Sequence, residues 1–197
     1  SYYATIQNAI ISNNTTLITG IPGCGKSTLL LQLAFSDDVD GHKFWFSNMI
    51  ASEANRLCQL IKDDSRAIVF FDNLYSNLDA YKILKAHNIR MVVAERGINY
   101  EYVKSFLSIP AKNIIDVSDL NENDIQNICR SMSKPSKDAI EMLKRKSNVS
   151  LLELVFLAYH NQTTDERIKE YILAIEKLDD PSLKIDVLEL YALVNYV

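Results

Sequence analysis

The chain alternates between short unbroken apolar runs and stretches whose apolar residues recur every three to four positions. The runs are Thr16–Thr19 ("TLIT"), Lys43–Ser47 ("KFWFS"), Arg66–Asp72 ("RAIVFFD"), Ile89–Glu95 ("IRMVVAE") and 112–117 ("KNIIDV"). Short apolar runs bounded by polar residues mark strands buried on both faces. Between them, 4–12, Lys26–Phe35, 52–63 ("SEANRLCQLIKD"), 78–87 ("LDAYKILKAH") and 100–107 ("YEYVKSFL") carry helical spacing. In the third of these, Leu57, Leu60 and Ile61 fall on one face. Strands alternating with helices predict βαβ units, hence a parallel sheet with helices on both faces.

After Val117 the strand pattern stops. Residues 120–132, 136–147, 150–161, 164–178 and 181–197 all show helical spacing. Ser118, Ser136, Ser150 and Asp165 are candidate N-caps or near-cap residues. Asp180-Pro181 marks a break between the last two helices. The reading is an α/β domain over 1–117 and a helical region over 118–197, without internal repeats.

Composition narrows the class. The chain has 197 residues, 48% of them hydrophobic and 23% charged, which suits a globular domain with a small appendage. Only 5 Gly and 4 Pro argue against long linkers. A net charge of -4 gives no electrostatic basis for broad nucleic-acid binding. No apolar run reaches the ~18 residues of a membrane span, and no signal peptide is evident. Cys24, Cys58 and Cys129 are odd in number and widely spaced, which fits neither a disulfide framework nor a zinc site and suits a reducing cytosol. The chain opens on Ser and closes on the apolar helical pattern "VLELYALVNYV". An apolar face without a cover is costly in water, so the expectation is part of a longer protein.

The chemistry concentrates in "TLITGIPGCGKSTLLLQLA". Gly20 to Ser27 match G-x-x-x-x-G-K-[ST], the P-loop or Walker A pattern. The bare pattern arises by chance in roughly one chain per hundred of this length. Its placement, after a buried strand and at the start of a helix, is the P-loop context. Backbone N–H groups of such a turn, and the helix N-terminus from Lys26, favour anions. Lys26 reaches the β- and γ-phosphates as a point charge, and Ser27 offers a hydroxyl to Mg²⁺. The expected site for ATP or ADP with Mg²⁺ comprises Gly20, Pro22, Gly23, Cys24, Gly25, Lys26, Ser27 and Thr28. Cys24 reads as a small filler.

Two further strands end in polar residues. Asp72 closes "AIVFFD" and fits the Walker B carboxylate that holds Mg²⁺. Many P-loop ATPases carry Glu next, as the base that activates water; here it is Asn73, which cannot accept a proton well, so slow hydrolysis is expected. "MVVAERG" ends in Glu95 and Arg96, followed by Gly97. Ligands of open α/β sheets lie beyond the C-terminal strand ends. Arg96 either approaches the γ-phosphate or forms a surface ion pair or packing contact. Glu95 either approaches water or Mg²⁺, or orients Arg96 and caps the next turn.

"LITGIPGCGKSTLL", "AIVFFDN" and "MVVAERG", followed by "VSDLNENDIQNIC" and more helices, resemble the STAND class of P-loop NTPases. These belong to the additional-strand ASCE division and are related to AAA+ proteins. The closest likeness is to bacterial STAND modules whose sensor strand ends in Ala-Glu-Arg. The resemblance implies a three-layer sandwich with a parallel five-stranded sheet in the order 5-1-4-3-2. It implies a helical lid over 118–162 and the start of a winged-helix-like element over 163–197. Lys26, Ser27, Asp72 and Arg96 would take the Walker A, Walker B and sensor 1 roles. Family members are ATP-dependent switches that oligomerise on sensing a ligand, with effector and sensor domains on either side; bacterial examples often serve in antiviral defence. The sequence departs from many relatives in lacking a Gly-x-Pro turn near the nucleotide base, where it reads "KSNVSLLELV". His160 reads as a solvated helix residue.

Other readings stay open. "GIPGCGKST" also resembles small-molecule and polynucleotide kinases, although the helical region offers only Arg130, Arg145 and Arg167 for a phosphate-covering lid. A non-catalytic module that holds nucleotide permanently is favoured by Asn73. A DNA-remodelling AAA+ protein lacks a clear arginine finger and a basic patch here.

Overall fold

A computed structural model of the chain describes residues 2–12, 14–131, 151–160 and 164–177. Five parallel strands form its sheet: β1 (Thr15–Gly20), β2 (His42–Phe46), β3 (Ala67–Phe71), β4 (Arg90–Arg96) and β5 (Ile114–Asp116). Their order is β2-β3-β4-β1-β5, which is the expected 5-1-4-3-2 read from the other edge. The backbone divides into two compact units, Ser1–Asp119 and Leu120–Val197.

Strand alternation sorts the core of the first unit into two layers. Leu17, Val69, Phe71, Met91 and Val93 face one side of the sheet. They meet α3 (Ala51–Ile61), α4 (Leu78–Ala86) and α5 (Gly97–Leu107) through Leu57, Ile61, Tyr81, Leu84 and Val103. Ile18, Ile68, Phe70, Val92 and Ala94 face the other side. They meet α1 (Tyr2–Ser12) and α2 (Lys26–Phe35) through Ile6, Ile10, Leu30 and Leu33. Leu30 and Leu33 are fully buried, and each contributes about 1.5–3 kcal/mol. That burial anchors α2, and with it the glycine-rich turn at its N-terminus.

Element boundaries differ from the sequence reading where side chains intervene. Helix α1 begins at Tyr2 rather than residue 4; the Tyr2 hydroxyl donates to the Asp119 carbonyl and holds that end down. Helix α5 begins at Gly97 rather than 100, because Arg96 is already extended as its N-cap. Strand β5 spans three residues instead of six, since Ala111–Asn113 forms a 3-10 turn. The Asn113 amide ties that turn to the Thr15 carbonyl at 3.0 Å. The carbonyl of Leu107, at the end of α5, accepts from the Tyr81 hydroxyl at 3.0 Å and from the Lys85 ammonium. Burial pushes the Tyr81 pKa up to about 12, so it stays a neutral donor at physiological pH.

In the second unit, α6 (Glu122–Ser131), α7 (Leu151–His160) and α8 (Thr164–Glu176) are described. Ile125, Cys129, Leu154 and Leu157 form its core cluster. The N-cap of α6 is Asn121, whose side-chain oxygen accepts from the Asp124 amide at 2.9 Å. Ser118, expected near that cap, lies too far upstream and serves the first unit instead. The predicted helices at 136–147 and 181–197 lie outside the described residues. So do Ser136, Arg145, Ser150, the first half of the segment lacking Gly-x-Pro, the His160 side chain and most of the expected winged-helix-like element. Among the described residues no helix is long and apolar enough to cross a membrane.

Candidate nucleotide site at the C-terminal strand edge

Beyond β1 the chain turns through Gly20–Gly25 into α2. Gly20 has φ 156°, and a Cβ there would lie 2.8 Å from the Cys24 sulfur and 3.2 Å from the Ser118 backbone nitrogen. No side chain fits. Gly25 is the N-cap of α2 with φ 92°, a left-handed conformation that favours glycine, and no side chain caps the helix. Only the Leu29 amide closes onto the Gly25 carbonyl, at 2.9 Å. The first-turn amides of Lys26, Ser27 and Thr28 are therefore available to an anion. Pro22, Gly23, Ser27 and Thr28 lie at the surface or partly exposed, whereas Cys24 is buried in the α2-side core.

Lys26 is 8% exposed. Its ammonium donates to the carbonyls of Gly20 at 3.0 Å and Ile21 at 2.7 Å, and lies 3.5 Å from the Cys24 sulfur. All three acceptors are uncharged. Among the described residues no carboxylate pairs with Lys26 or with Arg96. Buried charges are ordinarily paired, so an unpaired ammonium beside an uncapped helix end is the arrangement of an anion site.

The loop is braced from β5. The Ile21 amide donates to the Ser118 hydroxyl oxygen at 3.2 Å, and the Val117 amide to the Thr19 carbonyl at 2.9 Å. Ser118 is thus a supporting residue that sequence reading missed. Nothing local to its position signals a contact made across 97 residues.

Strand parity decides what the other candidates face. In β4, Val92 and Ala94 point to the α2 side, so Arg96 continues that row; Met91 and Val93 point to the α4–α5 side, so Glu95 continues the opposite one. Arg96 pairs in register with Gly20, at the mouth of the turn. Asp72 follows Phe71, and by the same alternation lies on the α2 side with Phe70. One of its oxygens accepts from the Asn73 amide at 2.9 Å. Lys26, Asp72 and Arg96 therefore share one face and one end of three adjacent strands.

Glu95 does not join them. It is 2% exposed, and three donors from within the protein engage its carboxylate. One oxygen accepts from the Arg96 amide at 2.7 Å and the Asn99 side chain at 3.0 Å; the other accepts from the Tyr75 amide. Of the two readings of Glu95, these bonds resemble the second, in which it orients Arg96 and caps the next turn. By strand parity it lies on the opposite side of the sheet from Arg96.

Asn73 adopts φ 57° and ψ 64° as N-cap of the 3-10 turn Leu74–Asn77. Asparagine tolerates that left-handed conformation better than glutamate does. The residue standing where a general base is often found is thus suited to the bend of the chain. Asn77, also missed by sequence reading, locks this bend and is 2% exposed. Its amide nitrogen donates to the carbonyls of Asp72 at 3.2 Å and Asn73 at 2.9 Å, and its oxygen accepts from the Met49 amide at 2.7 Å. Replacing it with alanine strands several buried groups. Asn77→Ala is expected to cost about 2–4 kcal/mol and lower Tm by roughly 5–15 °C. Thermal unfolding checks this, and an unchanged Tm would show these bonds to be idle.

Comparison with known proteins agrees with the geometry. Residues 1–93, slightly under half of the chain, match the family model described as Novel STAND NTPase 3. The match spans the glycine-rich turn and Asp72 and ends before Arg96. No curated protein matches the sequence. Among solved structures, a closed-state cryo-EM reconstruction of Hsp104 with ATPγS and FITC casein shares the fold. The TM-score is 0.50 at 15% identity, over 66% of this chain and 29% of that one. A katanin structure concerned with self-assembly reaches a TM-score of 0.46 at 14% identity, over 73% of this chain and 56% of that one. The chain thus spans under two thirds of either structure. The strand order is that of the P-loop NTPase fold, and residues 1–93, which carry the glycine-rich turn and Asp72, are similar to the STAND NTPases.

Proposed function

We propose that the domain binds ATP or ADP with Mg²⁺ at Gly20–Thr28 and acts as a nucleotide-dependent switch within a larger signalling or antiviral defence protein. The observation that carries this is the buried Lys26 ammonium, which among the described residues is held by backbone carbonyls and by no carboxylate, beside the uncapped N-terminus of α2. Uncapped amides and an unpaired cation suit phosphate oxygens.

The donor set also fits a hard cation. Ser27 supplies a hydroxyl and Asp72 a carboxylate, and Mg²⁺ commonly takes one or two protein ligands beside waters and phosphate oxygens. Bound Mg²⁺ would neutralise charge on the phosphates. The chain's own groups divide the remaining work. Lys26 and the α2 amides hold the phosphates. Arg96, on the same face, reads the terminal one. Asn73 can orient water but cannot take its proton.

Hydrolysis should accordingly be slow. The domain is expected to turn over ATP well below the ~10 s⁻¹ typical of enzymes. A steady-state phosphate-release assay checks this. Fast turnover lost on changing Asn73 would show that the side chain acts as more than a turn former. ATP-driven self-association, with effector and sensor domains outside this chain, completes the reading. A nucleotide titration tests its core, since a protein that takes up neither ADP nor ATP is no such switch.

A further inference from the structure

Glu95 is a buried carboxylate that phosphate binding does not use. It sits between two parts of the site that lie on different strands. One oxygen holds the backbone of Arg96 and, through Asn99, the first turn of α5; the other holds the Tyr75 amide in the turn after Asp72. That turn is in turn locked by Asn77 to the carbonyls of Asp72 and Asn73, and to the Met49 amide beyond β2. A single carboxylate thus joins the end of β4 to the end of β3, and its hydrogen-bond donors are all uncharged amides.

Local capping alone would need only the Arg96 and Asn99 contacts. The bond to Tyr75 spans 20 residues and two strands. Both oxygens belong to one rigid planar group. A shift of the Arg96 backbone therefore tilts the carboxylate and moves its other partner. Three hydrogen bonds to one planar group make the link stiff.

We propose that Glu95 is a positioning residue that couples Arg96 to the Leu74–Asn77 turn, so that occupancy by a triphosphate is transmitted to the backbone beyond Asp72. This rests on the reading of Arg96 as the γ-phosphate contact. The coupling has two consequences. Preference for ATP over ADP depends on Glu95 as well as on Arg96. Order in the Leu74–Asn77 turn depends on which nucleotide is bound.

The test compares the wild-type chain, Arg96→Ala, Glu95→Gln and Asn99→Ala. Affinities for ADP and a non-hydrolysable ATP analogue are measured with hydrogen exchange over 72–79 and 95–99. Glutamine keeps the shape but has one acceptor oxygen in place of two. Wild type is expected to favour the triphosphate by about 10- to 150-fold, the range of one charge-assisted contact. It is also expected to exchange more slowly in both segments with triphosphate than with ADP. Glu95→Gln should retain ADP affinity within about threefold, bring the preference to within about threefold of unity, and erase the nucleotide dependence of exchange at 72–79. Asn99→Ala removes one of three donors and should lower the preference about threefold.

If Glu95→Gln keeps the wild-type preference and exchange pattern, the proposal is overturned. Equal loss of both nucleotides would make Glu95 purely structural and overturn it as well. Should Glu95→Gln fail to fold, an unchanged preference in Asn99→Ala overturns the coupling by itself. If wild type binds neither nucleotide, or Arg96→Ala keeps the preference, the switch reading fails and takes the proposal with it. A preference lost in Arg96→Ala but intact in Glu95→Gln overturns the proposal alone.

Discussion

Lys26→Ala is expected to weaken both ADP and ATP binding by about 100-fold or more. The ammonium is the only lysine charge in the turn, and charged hydrogen bonds contribute about 1.5–3 kcal/mol each. Calorimetric titration of the folded variant measures the loss, and unchanged affinity for both nucleotides would refute the role. Stability should move differently. A buried ammonium with uncharged partners is a cost that folding carries for function. Lys26→Met fills a similar volume without the charge, and is expected to keep or raise Tm while losing nucleotide. A large fall in Tm with nucleotide affinity retained would make Lys26 a structural brace for the carbonyls of Gly20 and Ile21.

Arg96→Ala should separate the two nucleotides. Arg96 ends β4 opposite Gly20, has no carboxylate partner among the described residues, and shares the α2 face with Asp72. Its planar fork can engage two phosphate oxygens at once. A switch needs differential affinity for its ligands, and only the γ-phosphate distinguishes them. Loss of the guanidinium is expected to cost about 1.5–3 kcal/mol of ATP affinity, roughly 10- to 150-fold, and to leave ADP nearly untouched. Paired titrations with ADP and a non-hydrolysable ATP analogue decide it. Equal losses would make Arg96 structural, and no loss for either would place it outside the site.

Much of this architecture is legible in the chain because apolar runs and helical spacing report burial directly. "RAIVFFD" and "IRMVVAE" can hardly be anything but strands covered on both faces, and β3 and β4 are. The strand order comes from resemblance and not from periodicity, since spacing says nothing about which strands are neighbours. Glu95 is more legible than its position beside Arg96 suggests. The alternation that sends Val92 and Ala94 to one side and Met91 and Val93 to the other already separates the two residues. Ser118 and Asn77 are not legible. Their roles lie in hydrogen bonds to Ile21 and Met49, 97 and 28 residues away, and no local pattern encodes such partners. In the sequence Asn73 stands out for its missing carboxylate, whereas its left-handed backbone is a physical reason for asparagine there.

The proposed nucleotide site rests on the Lys26 ammonium, which has no carboxylate partner among the described residues, and on the uncapped start of α2. The most direct test is calorimetry of the wild-type chain with ADP and with a non-hydrolysable ATP analogue, each with Mg²⁺. Saturable binding of both is predicted, at a single site per chain and tighter for the triphosphate. Absence of binding by either nucleotide, from protein shown to be folded, would rule out a nucleotide site at this turn.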